Sequence, residues 1–223
     1  MTTVYVARRG APRARATQAL LEASRELKVL GVAQSLYGAR AALPGLDPDL
    51  LLVDLELEDG AALSLVRSMR DRQAERPRVM LIAVNATAPL LFATLRAGAD
   101  AYLLEADLPI AASLLRRLQA GEASMAAPVA TQLLQFFNQP LTAARNAPTV
   151  NDRALDWHTH AANPMSLSPG ELRLVQCVAR GTRSGEIAAH MAQSVEAIGR
   201  RIANVYRKLS WDVRSGSLSL LAA

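Results

Sequence analysis

The chain has 223 residues, enough for two domains of about 100 residues each, and its 51% hydrophobic and 20% charged residues exclude a disordered or fibrous protein. No apolar run approaches the ~18 residues that would span a bilayer, and Arg8 and Arg9 follow Met1 too soon for a secretory leader, so a cytoplasmic protein is expected. The net charge is +5 and is carried almost wholly by arginine; from Met165 onward eight basic side chains face four acidic ones, placing most of the surplus where a polyanion-binding module would need it.

In chain order, the first 120 residues alternate short β-rich runs with amphipathic stretches, the pattern of a parallel sheet wrapped by helices. Strands are predicted over 3–7, 28–34, 50–55, 79–84 and 101–104, and helices over 13–26, 36–43, 60–71, 88–97 and 108–120. Leu50-Leu51-Leu52-Val53 and Val79-Met80-Leu81-Ile82 are continuously apolar, as strands covered on both faces should be. Residues 1–121 therefore read as one α/β domain with a five-stranded, doubly wound, flavodoxin-like sheet. Residues 122–164 read as a linker with a helix near 127–137, since Pro140, Pro148 and Pro164 interrupt a stretch without sustained period. Within it, His158 and His160 are a weak metal signal, and a solvated loop is expected. The lone Cys177 falls beside Val175 and Val178 on an apolar helix side and reads as core filler.

Residues 165–223 form the second unit, all helical. Ser168-Pro169-Gly170-Glu171 is a helix start: the serine caps exposed amides, proline suits the first turn, and the glutamate can reach back. That helix ends at Gly181, and Ser184 is placed to cap a second helix holding Ile187, Ala188 and Met191. A third helix opens after Ser194. Its Ile198, Ile202, Val205 and Leu209 form an inward stripe, while Arg200, Arg201, Asn204 and Lys208 project from another side. An α-helix fits the major groove of B-DNA, where arginine pairs with guanine and asparagine with adenine. On the stripe alone, a merely solvated charged face is as good a reading.

The order of residues separates the two. Leu167 to Leu172, Ala179-Arg180-Gly181, Ser184 to Ala188, Ser194 to Ile198 and Asn204-Val205-Tyr206-Arg207-Lys208-Leu209 together resemble the LuxR-type helix-turn-helix. The resemblance implies a four-helix domain whose third helix enters the major groove, with DNA-facing positions at Arg183, Ser194, Glu196, Ala197, Arg200, Arg201, Asn204, Arg207 and Lys208. It also implies a last helix, here about 214–221, used in dimerisation. The chain departs from that family where Thr-Val-Lys is usual and Ala197-Ile198-Gly199 stands, and where His is common and Arg201 stands. Gly199 removes a basic side chain from the DNA side and costs roughly 1 kcal/mol of helix propensity relative to alanine.

Asp54 ends an apolar strand at its C-terminal edge, where doubly wound sheets place their ligands. With Gly60 and the run from Ala97 to Leu104, residues 1–120 resemble a receiver domain, and the whole chain resembles a response regulator of the NarL/FixJ type. The resemblance puts Asp54 at the phospho-acceptor position. The acidic pair that would hold Mg²⁺ is replaced in register by Arg8 and Arg9, the phosphoryl-contacting Thr or Ser by Ala83, and the Lys by Glu105. Arg8, Arg9, Asp54 and Glu105 sum to zero charge without a cation, so a lost Mg²⁺ site and no cofactor are expected. Either one arginine pairs with Asp54 and the other with Glu105, or both point to solvent and Asp54 is a relic.

The expected function is sequence-specific, DNA-binding transcription regulation controlled independently of phosphorylation, by a homodimer whose partners are duplex DNA and RNA polymerase or another regulator. Two alternatives stand beside it: a conventional phosphorylated two-component regulator, and a non-DNA-binding protein that sequesters a regulator. No nucleophile-base pair, metal cluster or phosphate loop favours an enzyme.

Overall fold

The computed structural model describes residues 1–71, 77–87, 89–138 and 167–218. In chain order the first unit holds β1 (Thr2–Ala7), α1 (Ala11–Glu22), β2 (Leu27–Ala33), α2 (Leu36–Leu46), β3 (Leu50–Asp54), a short hairpin of β4 (Glu56–Leu57) and β5 (Gly60–Ala61), α3 (Ala62–Asp71), β6 (Arg78–Ala83), α4 (Pro89–Arg96), β7 (Ala101–Leu104) and α5 (Ala111–Gln119). After it come α6 (Ala127–Asn138), α7 (Pro169–Ala179), α8 (Ser184–His190) and α9 (Val195–Leu218). No described helix is long and apolar enough to cross a membrane.

The sheet is parallel, in the order β2-β1-β3-β6-β7. Leu50, Leu51, Leu52 and Val53 are wholly buried, which a strand achieves only with cover on both faces. The register sets Ala7 against Val53 and Asp54 against Ile82, so the chain leaving β1 passes directly beside the end of β3. That adjacency brings Arg8 and Arg9 to Asp54.

Three local differences from the sequence reading have plain causes. The segment after Asp54 folds into the β4–β5 hairpin, too short to show a period, and Asp59 accepts the backbone N–H groups of Leu36 and Tyr37 at the start of α2. The helix expected from 108 begins at Ala111, because Pro109 belongs to a 3₁₀ turn over Glu105–Ile110. The separate helix expected at 214–221 is, as far as Leu218, the end of α9: no proline interrupts it, and the first glycine after Gly199 is Gly216.

The second unit starts as the sequence suggests. Ser168 Oγ accepts from Glu171 N–H at 3.3 Å, and the Glu171 carboxylate accepts from Ser168 N–H at 2.7 Å. Gly181 takes a φ of 80° in the turn between α7 and α8, a region open to glycine without strain. At α8 the cap stands one residue earlier than expected: Glu186 accepts from Arg183 N–H at 3.1 Å, which makes Ser184 the first helical residue. Ile198, Ile202, Val205 and Leu209 are all buried and pack with Leu174, Val178 and Ile187. Through α6, whose Val129, Ala130 and Leu133 are buried, this core is continuous with that of the sheet.

Candidate functional site

Two places in the molecule concentrate arginine, and they are built in opposite ways. The first lies at the C-terminal edge of the sheet. Arg8 is only 1% exposed, an extreme value for a guanidinium, and each of its nitrogens has a partner. Nε donates to Asp54 Oδ1 at 3.0 Å, Nη1 to Thr17 Oγ1 at 2.8 Å, and Nη2 to Glu105 Oε2 at 2.5 Å. The backbone N–H of Arg9 donates to the other oxygen of Asp54 at 2.9 Å.

One arginine thus takes both carboxylates that the sequence reading shared between two. The Arg9 side chain turns outward to Glu56 at 3.8 Å, with both groups about 60% exposed. Its backbone is held by Asp54, and φ at Gly10 is 84°, so the chain turns into α1 before a second side chain could enter. Ala83 is buried, in register with Leu104, the residue before Glu105. Burial pushes the Asp54 carboxyl above the usual carboxylate range, against the opposing pull of Arg8 and of the Arg9 N–H. A guanidinium fixed 3.0 Å from Asp54 occupies the place of a cation. Like charges at 4 Å repel by about 1 kcal/mol per unit pair in water and about 4 at an effective dielectric of 20, and a divalent ion doubles that. Because Mg²⁺ needs several free oxygen ligands and Arg8 claims both carboxylates, these residues do not fit a magnesium site.

The second place is α9. Its core stripe defines an inner side, and the remaining residues divide among three others. Arg201 and Lys208, seven apart, turn toward the start of α7: Arg201 lies against Gly170 while its Nη1 donates to Gln193 Oε1 in the α8–α9 turn at 3.1 Å, and Lys208 Nζ bonds Glu171 Oε2 at 2.6 Å. Burial would raise the Glu171 carboxyl, but Lys208 and the Ser168 N–H and hydroxyl hold it below its usual range. The outward side carries Glu196, Arg200 and Arg207, all exposed, with Asn204 half-buried and accepting from Arg207. Ser194 is exposed and caps α9, its Oγ accepting from Ala197 N–H at 3.2 Å; Ala197 is half-buried. The carboxylate of Glu196 lies below its usual range, held there by backbone and Ser194 hydrogen bonds in the first turn. Arg183 is exposed at the start of α8. The nine DNA-facing candidates therefore fall on two sides of α9 and its approach; Arg201 and Lys208 serve contacts within the unit.

The remaining side of α9 was not legible. Gly199 is buried, and its carbonyl accepts from Ala123 N–H at 3.0 Å. Tyr206, two turns further along the same side and buried, donates its hydroxyl to Ser124 O at 3.0 Å. The segment 122–126 is held on its other side by the sheet unit: Arg117 Nε bonds Glu122 at 3.0 Å, and Ala126 N–H donates to the Tyr102 hydroxyl. A side chain at 199 would have its Cβ 3.0 Å from Glu122 Cβ. The position read as a lost basic residue is thus a packing contact, and the bare glycine was the available signal.

Several known proteins resemble this chain. Residues 12–106 match the family model of the response regulator receiver domain. Over 184 residues, covering 82% of this chain and 77% of the relative, the sequence is 24% identical to a nitrate/nitrite response regulator protein homolog of Haemophilus influenzae. It is 34% identical over 86 residues, 39% of each chain, to the DNA-binding transcriptional activator DevR/DosR of Mycobacterium tuberculosis. The RcsB response regulator of Salmonella typhimurium, a solved structure described for its DNA interaction, superposes with a TM-score of 0.51 at 20% identity over 93% of this chain and 91% of that one, a likeness of fold.

Proposed function

We propose that this chain, which belongs to the response regulators of the NarL/FixJ type, is a sequence-specific DNA-binding transcription regulator whose receiver domain works without phosphorylation. Duplex DNA is its partner, in keeping with a relative described as a DNA-binding transcriptional activator, and a homodimer is its working form. The observation that carries the regulatory half is the Arg8 network. A guanidinium already bonded to Asp54, Thr17 and Glu105 supplies the positive charge that a metal and a lysine would otherwise bring to the acceptor. In-line attack on a phosphoryl donor requires an accessible carboxylate oxygen, and both oxygens of Asp54 accept hydrogen bonds from Arg8 and Arg9.

The DNA half rests on the outward side of α9, where Arg200 and Arg207 stand exposed two turns apart and Asn204 lies between them. Arginine and asparagine donors on a rod that fits the major groove can read base edges, while Arg183 reaches phosphate. Fluorescence anisotropy with genomic and random duplexes tests this directly. Binding should weaken steeply with salt as phosphate counterions are released, and a genomic subset should bind more tightly than random sequence. Absence of binding to any duplex at low ionic strength refutes the reading. Genome-wide occupancy mapping would then identify the operators.

A further inference from the structure

The contacts around residues 122–126 bear on how α9 reaches DNA, an inference that rests on the DNA-binding reading above. The strap is fastened to the receiver by Arg117–Glu122 and by Tyr102, and to α9 by Gly199 and Tyr206. Below it, α6 adds a second join: Phe136 meets Phe92 of α4 edge-to-face at 5.8 Å, and Arg96 stacks over Phe136 at 4.4 Å. One hydrophobic core runs through all three parts. The two units are thereby joined into one body in this arrangement.

The strap does not lie on the arginine side. Successive residues on a helix are about 100° apart, so a contact at Gly199 and Tyr206 sits roughly a quarter turn from Arg200 and Arg207. Both arginines stay exposed, as do residues 192–196 at the end of the helix that enters a groove first. The receiver also brings a cation of its own. Arg117 of α5 has its Nη2 within 3.3 Å of where a Cβ at 199 would stand, and its charge helps hold Glu196, in the first turn of α9, below the usual carboxylate range.

We propose that the chain binds duplex DNA in this compact arrangement, with no separation of the two domains, presenting the outward side of α9 and the flanking Arg117 of the receiver as one composite surface. Gly199 is the notch that permits it. With no side chain there, the strap can approach the helix backbone, and the receiver becomes a fixed part of the reading head.

A disulfide tests the arrangement in the full chain. In E122C/G199C with C177S, the two Cβ atoms would start 3.0 Å apart and need to separate by about half an ångström to reach disulfide geometry. The bond should form under mild oxidant, and the oxidised and reduced forms of this one variant should bind operator within about twofold of each other. Oxidised protein binding tenfold or more weakly than its own reduced form overturns the proposal, as does failure of the bond to form in folded protein. If the reduced form and the native chain both bind no duplex, the DNA reading itself falls. The second variant is Arg117→Ala added to the oxidised E122C/G199C/C177S chain, where the cross-link takes the place of the Arg117–Glu122 fastening. It should flatten the slope of log affinity against log salt by about 0.9, the signature of one phosphate contact, which a merely structural role would not change. An unchanged slope removes Arg117 from the surface.

Discussion

Arginine does two different jobs in the two halves of this molecule, and burial decides which. At the sheet edge Arg8 is enclosed and bonded to three side chains, so its charge is consumed inside the fold. On α9, Arg200 and Arg207 stay in water, where their charge is available to a partner. The lesson is that a count of basic residues says little about partners until each guanidinium has been assigned to one of these situations. Arg201 and Lys208 illustrate it within a single helix, since both turn back to contacts near the start of α7.

The contrast can be broken most forcefully at Arg8. Arg8→Ala leaves Asp54 and Glu105 facing each other without their shared cation, and removing one partner of a buried pair costs about 3–5 kcal/mol. Because Glu105 is about a third exposed, the lower end is expected, read by urea denaturation of the receiver. A loss no larger than that of a surface substitution would mean the network is ornamental. On the other side of the comparison, Arg200→Ala should lower operator affinity tenfold to a hundredfold, about 1–3 kcal/mol, and relax base preference at one position while leaving the melting temperature nearly unchanged.

Smaller effects sharpen the division within α9. Glu171→Ala removes the reciprocal half of the Ser168 cap and the partner of Lys208, and should destabilise the C-terminal unit by about 1–2 kcal/mol. The sign with pH follows from the direction of the Glu171 shift. Its carboxyl lies below the ordinary 4.5, so this stabilisation is complete above that value and fades as pH falls through the lower folded value. The native unit should therefore loosen in that acid window, and the Glu171→Ala variant should lack this component of the acid transition. Smallest of all is Arg9→Ala: its pair with Glu56 is exposed on both sides at 3.8 Å, and less than about 0.5 kcal/mol should be lost.

Much of the fold was legible because its signals are local and periodic. The continuously apolar β3 and β6, the Ser168 cap and the stripe through Ile198 and Leu209 each declare their element within a few residues. The charge inversion at Arg8, Arg9 and Glu105, and the hydroxyl missing at Ala83, were equally visible once the end of β3 was aligned. What sequence could not supply were choices made by tertiary packing. Which arginine enters the pocket depends on the turn at Gly10, and Arg201 and Lys208 differ from Arg200 and Arg207 only by what α7 presents opposite them. Gly199 shows the limit most clearly: its missing side chain reads as a deficit along the helix, whereas in three dimensions Glu122 and Ala123 fill the space.

The most direct test of the fixed-pair receiver is to incubate the native protein with acetyl phosphate and Mg²⁺, follow covalent labelling by intact mass, and titrate operator DNA before and after. No adduct and an unchanged affinity are expected. Stoichiometric labelling of Asp54 accompanied by a change in affinity would contradict it and restore the chain to the phosphorylated regulators.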